Sequence, residues 1–377
     1  MNWKILLSKK FAIPIVLIIL TAILVPVLVV TFRTDDPIHI ESDDDFVKYN
    51  FPGYGTSESP YIIENLFIKG DPDTHGSAIE IEFTLAHFVI RNCKLIGFRS
   101  DSIALNQVAA GTAKIFDNVL DDFSYFGIGC YGSDGVIITN NNLSNGYHGV
   151  FMEECHNSTI GDNSIHSAVH GIHVTYSDSI NIQDNILSLN DIGIYLENTD
   201  NITLHNNEVL GKYSQESAGT GSDLFGPAII ILSGDRTLIT NNTCSFHPDA
   251  GIRLIHSHFC NISFNIFRDN QGTEEGRGIY LRSSNNSFIF YNLISSNEAR
   301  GMLVMNSYNN TIHHNAFLDN GFGVAYHVYE TDSDYNIWYD VLLLEGNYWS
   351  SWDYMSPYPI TGSVSTDPYP MSSNPFI

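Results

Sequence analysis

Imidazole side chains recur at equivalent intervals through the middle of the chain. His148 and His170 are separated by 22 residues, and His173 follows three positions later. Imidazole nitrogen suits copper, so these three histidines are candidate metal ligands, and the adjacent pair His313 and His314 is a further candidate. A dedicated copper transport site usually adds methionine or cysteine ligands, whereas the six methionines of this chain are scattered.

Carboxylates accompany the first group of histidines. Glu153, His173 and Glu197 occur in three successive repeats of the sequence. If successive repeats lie side by side, two carboxylates about 5–10 Å apart can act as acid and base in glycoside cleavage. These three residues are therefore the catalytic candidates. The alternative is an exposed column of solvated polar residues without catalytic function.

Arginines mark the second half of the chain. No lysine follows Lys212, and four of the six later arginines fall at comparable positions of their repeats. Planar guanidinium groups bind carboxylates, and aromatic faces suit sugar rings, so a ligand-binding face is predicted. Its members are Tyr195, Arg253, His256, Arg277, Tyr280, Arg282 and Arg300. Pairing of these arginines with glutamates of adjacent repeats is the alternative.

A fixed repeat positions all of these residues. Ten asparagines recur, mostly every 22 or 23 residues in the centre of the chain: Asn92, Asn118, Asn141, Asn163, Asn185, Asn207, Asn242, Asn265, Asn292 and Asn315. A period of 20 to 50 residues is typical of a solenoid, in which one repeat cannot bury its own apolar face. Stacked asparagines at a tight corner are expected to form an amide ladder and to tolerate left-handed backbone.

The apolar residues within each repeat alternate, which indicates strands. In the repeat that starts at Gly171, the alternating pairs are Ile172 with Val174 and Ile180 with Ile182. Alternation with β-branched residues is a strand signal, and three short strands per repeat predict a coil of triangular section. The sequence therefore predicts an all-β fold, a parallel β-helix solenoid of about eleven coils over residues 61–345. The enlarged repeats at 211–226 and 271–277 are expected to project from one edge, which makes the strand beginning there the candidate binding floor.

The two flanks of the array suggest a family. GYGTSESPYIIEN (53–65) precedes the first coil, and an aromatic, proline-rich segment beginning GNYWSSWDYM follows the last. With the asparagine repeats between them, these flanks resemble NosD-type proteins within the carbohydrate-binding and sugar-hydrolase (CASH) β-helices. The resemblance implies a single-stranded right-handed parallel β-helix, with residues 33–60 as linker and N-terminal cap and 346–377 as C-terminal cap. NosD itself is associated with maturation of the copper site of nitrous oxide reductase.

The N-terminus predicts a membrane anchor. Residues 11–32 carry no charge over 22 positions, which is enough to cross a hydrocarbon core of about 30 Å. Lysines precede this segment and acidic residues follow it, so residues 1–10 are expected in the cytoplasm and the β-helix outside, on a single-pass membrane protein. A cleaved signal peptide is the alternative, but no small-x-small cleavage site is evident.

Charge and cysteine content exclude some functions. The formal net charge is −25, and such a surface repels nucleic acid, so no nucleic-acid partner is expected. Acidic pairs such as Asp121 and Asp122 match no calcium loop, and neither Ca²⁺ nor copper is supported by a defined motif. Five cysteines without CxxC spacing indicate core residues. Seven N-x-S/T sequons would permit glycosylation outside the cell.

The sequence thus predicts a membrane-anchored β-helix that binds carbohydrate, such as an acidic polysaccharide, on one outer face. Three alternatives stay open. They are a polysaccharide-active enzyme (a hydrolase, lyase or epimerase), a NosD-like factor for copper-site maturation, and a structural surface protein.

Overall fold

The structure, a computed structural model, describes residues 35–70, 76–212, 226–272, 275–321 and 327–376. The predicted anchor at 11–32 and the stub at 1–10 lie outside these residues, as does most of the insertion at 211–226. Within the described ranges no helix is long and apolar enough to span a bilayer. Residues 35–377 form one compact unit.

Parallel strands stack into a coil with three faces, which we number in chain order after the small residue that opens each repeat. Face 2 is an eleven-stranded parallel sheet, so the predicted all-β solenoid of about eleven coils is confirmed. Its strands are Tyr61–Glu64, Phe88–Arg91, Ala113–Phe116, Ile137–Thr139, Thr159–Gly161, Asn181–Gln183, Thr203–His205, Leu238–Thr240, Asn261–Ser263, Phe288–Phe290 and Thr311–His313.

Faces 1 and 3 are joined into one sheet by three long strands that turn the corner between them, Val119–Tyr131, Asn142–Glu153 and Ser164–Thr175. The other strands of face 1 are Ile38–Ile40, Ile79–Glu82, Ile103–Asn106, Ile192–Glu197, Ile229–Leu232, Ala250–Ile255, Arg277–Arg282, Arg300–Met305 and Val328–Thr331. The other strands of face 3 are Phe67–Lys69, Lys94–Phe98, Ile186–Ser188, Glu208–Leu210, Thr243–Ser245, Ile266–Arg268, Leu293–Ser295, Ala316–Leu318 and Tyr348–Trp349. A two-stranded antiparallel pair, Tyr358–Pro359 with Thr366–Asp367, completes the fold.

The core is a set of apolar columns because strict in-register pairing places like residues above one another. Ile160, Ile182 and Leu204 pair on face 2, and all three are fully buried. Side chains of a strand alternate between its two sides, so the residues between these columns point outward. The same register therefore fixes which polar residues share the outer surface.

The asparagine ladder forms as expected, with two corrections. The Asn185 amide donates to Asn207 at 2.9 Å and its oxygen accepts from Asn163 at 3.0 Å. The expected left-handed conformation is wrong for these asparagines, since it belongs to the residue before each one, such as Asp184 (φ 56°). Asn92 is left-handed in the same way (φ 52°), so Cys93 takes the ladder position, where its backbone N–H donates to the Asn118 side-chain oxygen at 2.9 Å. A glycine-free corner is possible because Asn and Asp tolerate this region.

Aromatic residues close both ends of the array. The helix Asp43–Lys48 buries Phe46, which stacks on Tyr61 at 4.6 Å between ring centroids. At the other end Trp349 stacks between Phe317 and Tyr358. Its indole nitrogen donates to buried Asp367 at 2.9 Å. Both terminal coils are therefore covered by packed side chains, which an exposed strand edge requires.

The cysteines are core residues, as their positions indicated. All five are free and buried, and burial raises the pKa of the Cys93 thiol to about 11. Because the thiolate is the metal ligand and nucleophile, these groups offer neither function at neutral pH.

Candidate functional site

Outward residues of face 1 form parallel rows that run along the solenoid. We call first row the residues at the corner, which include Phe126, His148, His170 and Ile192 and, further along, Ala250, Arg277 and Arg300. The second row runs Gly129, Phe151, His173, Tyr195, Ile230, Arg253, Tyr280, Leu303 and Tyr329. The third row includes Tyr131, Glu153, Thr175, Glu197, Leu232, Ile255 and Arg282. Residues of one row belong to successive coils about 4.8 Å apart.

Three histidines from two adjacent coils converge on face 1. Two of them belong to the first row and the third belongs to the second row. We call His148, His170 and His173 the histidine cluster. Their ring centroids are 4.6 to 5.3 Å apart, and one nitrogen of each lies within 4.8 Å of the others. The sequence placed His148 and His170 in register on adjacent coils, and the structure adds His173 to the same point.

Four of the six imidazole nitrogens of the cluster are buried without a hydrogen-bond partner in the part of the chain that the structure describes. Nδ1 of His148, Nδ1 of His170 and both nitrogens of His173 are buried without a hydrogen bond among the described residues. Unpaired buried polar atoms of this kind are rare and call for an explanation. A ligand between the three rings would supply the missing partner.

Burial keeps these three rings uncharged. It lowers the pKa of His148 to about 2, with a further contribution from the neighbouring imidazoles. It lowers the pKa of His170 to about 4 and that of His173 to about 3. A neutral imidazole carries a lone pair, which is the form that binds a metal ion. The cluster is therefore in its ligating form throughout the neutral pH range.

Aromatic side chains surround the cluster on face 1. Phe126 stacks on His148 at 5.1 Å between centroids, and Phe151 meets the edge of His173 at the same distance. Tyr195 lies parallel to His170 at 5.2 Å and contacts His173. Tyr195 was expected beside the arginines, but its ring contacts lie with the histidines. These contacts hold the rings while leaving their nitrogens free.

The donor set fits a metal ion that prefers nitrogen. Three nitrogens bound at about 2.0 Å to one ion lie about 3.5 Å apart, so modest ring rotation from the observed arrangement suffices. Imidazole suits copper, zinc, iron and nickel. The three rings bring no negative charge and lie among apolar rings. Because burying charge costs more for a higher valence, this setting favours a monovalent ion.

The catalytic candidates are not grouped as the sequence suggested. Glu153 and Glu197 share the third row with Thr175 between them, so their backbones are two coils, or about 10 Å, apart. His173 lies in the second row instead. Tyr195 donates to Glu197 at 3.5 Å. That Glu153 and Glu197 act as an acid and a base stays a prediction, because no contact among the described residues assigns either function.

The arginines form a separate group, which Ile230 separates from the histidines within the second row. Arg253 pairs with Asp249 and lies 3.6 Å from Glu275, while Arg277 pairs with both acids. Desolvation raises the pKa of Asp249, which the two arginines oppose. Acidic partners therefore offset much of the positive charge predicted for this face. These partners, Asp249 and Glu275, lie in the corner segments that precede the strands of face 1. Glutamates on adjacent strands had been the expected alternative.

The remaining members of the predicted ligand face are spread around this group. The rings of Tyr280 and Tyr329 lie beneath guanidinium groups, with Arg277 5.1 Å from Tyr280 and Arg300 5.1 Å from Tyr329. Arg282 is exposed in the third row, and His256 is exposed in the left-handed corner that follows the strand. The predicted face thus comprises two clusters rather than one continuous patch.

Two hydrogen-bonded pairs of polar side chains were not predicted from the sequence. Asp101 lies in the first row one coil before Phe126, and the Tyr131 hydroxyl donates to it at 3.3 Å. Burial raises the pKa of Asp101 to about 7. Asp101 stands two residues before the inward Ile103, just as His148 stands two residues before Val150. This shared spacing could have placed Asp101 in the first row from the sequence alone. The second pair, His314 with Glu345, joins the last full coil to a loop outside the repeat and had no such signal.

Sequence comparisons agree with this architecture. A family model described as periplasmic copper-binding protein (NosD) matches residues 55–179 and 106–223. A second model, right handed beta helix region, matches residues 219–336. No curated protein is significantly similar to the chain in sequence. The stacked coils and these matches define a right-handed parallel β-helix repeat protein. Over residues 55–223 the chain is similar to the NosD family in particular.

Solved structures with the same fold act on polysaccharides. One is the A-module of a mannuronan C-5 epimerase from Azotobacter vinelandii, at 15% identity and TM-score 0.57, covering 84% of this chain and 92% of that chain. A periplasmic alginate epimerase follows at 15% identity and TM-score 0.52, with coverage of 80% and 72%. The catalytic unit of a thermostable α-1,3-glucanase from Streptomyces thermodiastaticus gives 11% and 0.50, with coverage of 85% and 70%. At these identities the likeness concerns the fold alone.

Proposed function

We propose that this NosD-like β-helix binds a copper ion, as Cu(I), at His148, His170 and His173. The observation that carries the proposal is the convergence of one buried and two half-buried neutral imidazoles, four of whose nitrogens are buried without a hydrogen bond among the described residues. The copper-binding family model supports it because its second match, residues 106–223, contains all three histidines. The uncharged, ring-lined setting favours the monovalent ion over divalent competitors.

Binding studies on the full chain test this proposal. The variant His148→Phe with His173→Phe places at each position the residue found one coil earlier, Phe126 and Phe151. Aromatic stacking is thereby kept while two ligands are lost. Anaerobic titration against a chromophoric Cu(I) chelator should show one tightly bound ion in the unchanged chain and at least a hundredfold weaker binding in the variant.

A control separates the cluster from other histidines. His166 lies on the same strand as His170 but points to a different surface, where it contacts Ser167 at 3.5 Å. His166→Gln should bind Cu(I) like the unchanged chain. Equal affinity in the unchanged chain and the double phenylalanine variant would remove the proposed site.

A second candidate function is carbohydrate binding on face 1, supported by exposed rings beside the cluster. Tyr125 and Tyr147 are 59% and 48% exposed on adjacent coils, and sugar rings stack on such faces. The Asp101–Tyr131 pair adds a protonatable group near pH 7 beside them. The mannuronan epimerase and the α-1,3-glucanase that share the fold support this candidate.

A glycan panel tests the second candidate and separates binding from catalysis. Uronate-containing and neutral polysaccharides are incubated with the full chain, and reducing ends and unsaturated products are measured. Product formation identifies an enzyme, and binding without product identifies a binding module. Tyr147→Ala should weaken binding at least tenfold, whereas Tyr176→Ala, which removes an equally exposed ring, should not. Absence of both binding and product would exclude this function.

A further inference from the structure

A second group of side chains that can bind a metal ion lies at the C-terminal end of the solenoid. His313 ends the last strand of face 2, and His314 follows it in the left-handed corner (φ 54°). Neighbouring side chains of an extended strand point to opposite sides. The left-handed corner changes this direction, so the two rings meet with their Nδ1 atoms 2.6 Å apart.

A carboxylate determines which nitrogen of His314 carries the proton. Nε2 of His314 lies 2.8 Å from Glu345 Oε2, so Nε2 donates and Nδ1 presents its lone pair toward His313. Metal-bound histidines almost always donate their other ring N–H to a carboxylate or carbonyl group. The ring of His314 is buried, with only 3% of the side chain exposed, and stacks on Tyr291 at 4.7 Å.

The loop that follows supplies a third ligand. Asp340 accepts hydrogen bonds from the backbone of Leu342 at 2.8 Å and Leu343 at 3.1 Å through one carboxylate oxygen. Its own backbone N–H donates to the Glu345 carbonyl at 2.7 Å. The loop is thereby closed on itself, and ligand atoms of Asp340, His313 and His314 all lie within 4.8 Å of one another.

The close approach of the two imidazoles brings two ligand nitrogens to one point. The neutral Nδ1–H tautomer of His313 donates to the Nδ1 lone pair of His314 at 2.6 Å, and a metal ion bound by both nitrogens would take the place of that proton. Two nitrogens bound at about 2.0 Å to one tetrahedral ion lie about 3.3 Å apart, so a small opening of the pair admits a metal.

We propose that His313, His314 and Asp340 form a second metal site that binds Zn²⁺, with Glu345 as the residue that orients His314. Two neutral nitrogens and one carboxylate match a borderline divalent ion, and Zn²⁺ accepts three protein ligands with a fourth, open position. The carboxylate distinguishes this site from the histidine cluster, which offers nitrogen alone. The bound ion joins the loop 340–345 to the last full coil, so its function is to fasten the end of the solenoid.

The test uses two conservative ligand variants in the full chain. Asp340→Asn removes the charge but keeps an oxygen that accepts from Leu342 and Leu343, so the loop retains its fold. His313→Gln removes one nitrogen. His205→Gln is the matched control, since His205 holds the equivalent place on face 2 and Gln183 stands there one coil earlier.

Each chain is stripped with EDTA and titrated with ZnCl₂ by calorimetry, in the His148→Phe, His173→Phe background that lacks the first cluster. One equivalent should bind, at least tenfold more weakly after Asp340→Asn or His313→Gln, and unchanged after His205→Gln. Asp340→Asn and His313→Gln are also introduced into the otherwise unchanged chain, where each should lose one equivalent of bound Zn²⁺. This second comparison makes the result independent of the copper proposal.

Two further measurements report on the end of the fold. Zn²⁺ should raise Tm and slow proteolysis at exposed Leu342 in the parent chain and not in His313→Gln. Co²⁺ in place of Zn²⁺ should give visible absorption bands of a four-coordinate nitrogen–oxygen site. Zn²⁺ affinity that stays within twofold in both ligand variants, or absence of Zn²⁺ binding by the parent chain, would overturn the proposal.

Discussion

The histidine cluster illustrates how burial alone prepares a ligand set. Nothing in the described surroundings pairs a carboxylate with His148, His170 or His173, so desolvation lowers the pKa of each ring, and neighbouring imidazoles add to this for His148 and His173. In the unfolded chain a histidine titrates near pH 6.5. Between about pH 6.5 and 4 the unfolded state therefore binds protons that the folded state does not, and folding stability falls as the pH falls.

This difference can be measured without any metal. From pH 6.5 to 5.0, each of these histidines should reduce the free energy of unfolding by up to about 2 kcal/mol. The variant His148→Phe with His173→Phe should lose up to about 4 kcal/mol of that pH dependence. Thermal unfolding of the metal-free chains at both pH values provides the measurement. His166→Gln should keep the full dependence, and an identical pH profile in all three chains would contradict the neutral cluster.

The arginines show the opposite arrangement, a buried charge that is already matched. Arg277 has 8% of its side chain exposed and Asp249 has 9%. Removal of one partner from a buried pair leaves an uncompensated charge and costs about 3–5 kcal/mol. Arg277→Met should therefore lower the free energy of unfolding by about that amount in a denaturant titration.

An exposed arginine provides the comparison. Arg236 has 60% of its side chain exposed and lies 4.0 Å from Asp200, and exposed pairs contribute about 0–1 kcal/mol. Arg236→Met should thus change stability little. If Arg277→Met proved equally neutral while acidic glycan binding fell, the arginines would be ligand-binding residues, as the sequence suggested, and their pairing with Asp249 would be incidental.

At the level of the elements, the asparagine ladder holds adjacent coils in register. The amide of Asn185 donates to the carbonyls of Ile160 and Gln183 as well as to Asn207. The bonds to Ile160 and Asn207 are buried and join the corner to the two neighbouring coils, and the part-buried bond to Gln183 closes the turn before Asn185. The ladder therefore adds hydrogen-bond partners to backbone groups at the corner.

Loss of one ladder residue should have a cost beyond its own hydrogen bonds. Asn185→Ala removes the side-chain partner of the Ile160 carbonyl and of the Asn163 backbone N–H and also breaks the bonds to the Asn163 and Asn207 side chains, and each buried unsatisfied group costs about 1–3 kcal/mol. We expect at least about 3 kcal/mol of destabilisation by chemical denaturation. Asn181→Thr, which introduces on face 2 the residue found one coil before and after it, should stay within about 0.5 kcal/mol. Comparable effects of the two changes would argue against the ladder.

The sequence predicted the repeat, its strands and the inward columns of apolar residues. All three follow from the 22-residue period and from the alternation of apolar residues within it. It missed the substitution of Cys93 for Asn92 in the ladder, since the left-handed residue and the ladder residue are adjacent and share a preference for asparagine. It identified His148, His170 and His173, but their convergence depends on the exact register at the corner, where the pairing with Val119–Tyr131 shifts between Gly146 and His148.

Sites outside the period could not be derived in the same way. His313 and His314 were noted as a pair, yet Asp340 and Glu345 belong to a loop with no repeat to place it. The acidic partners of the arginines were missed for a related reason. Asp249 and Glu275 lie in the corner segments that precede the strands, where spacing varies from coil to coil.

At the scale of the whole molecule, the predicted placement outside the cytoplasm stays a proposal that topology mapping can test. Protease added to intact cells should cleave within residues 35–377, at exposed positions such as Leu342, and leave an epitope in residues 1–10 intact. Permeabilised cells provide the control, because both ends are then accessible. Protection of the β-helix in intact cells would reverse the proposed orientation.

Stacking of strands across the long axis also determines how the molecule would respond to force. The hydrogen bonds between coils run along that axis, so tension applied to the two ends loads one layer of bonds at a time rather than many in parallel. Each terminal coil would peel from its neighbour before the next one yields, releasing about 22 residues per step. Such a chain would lengthen gradually under small loads and rewind when released, behaving as a molecular spring.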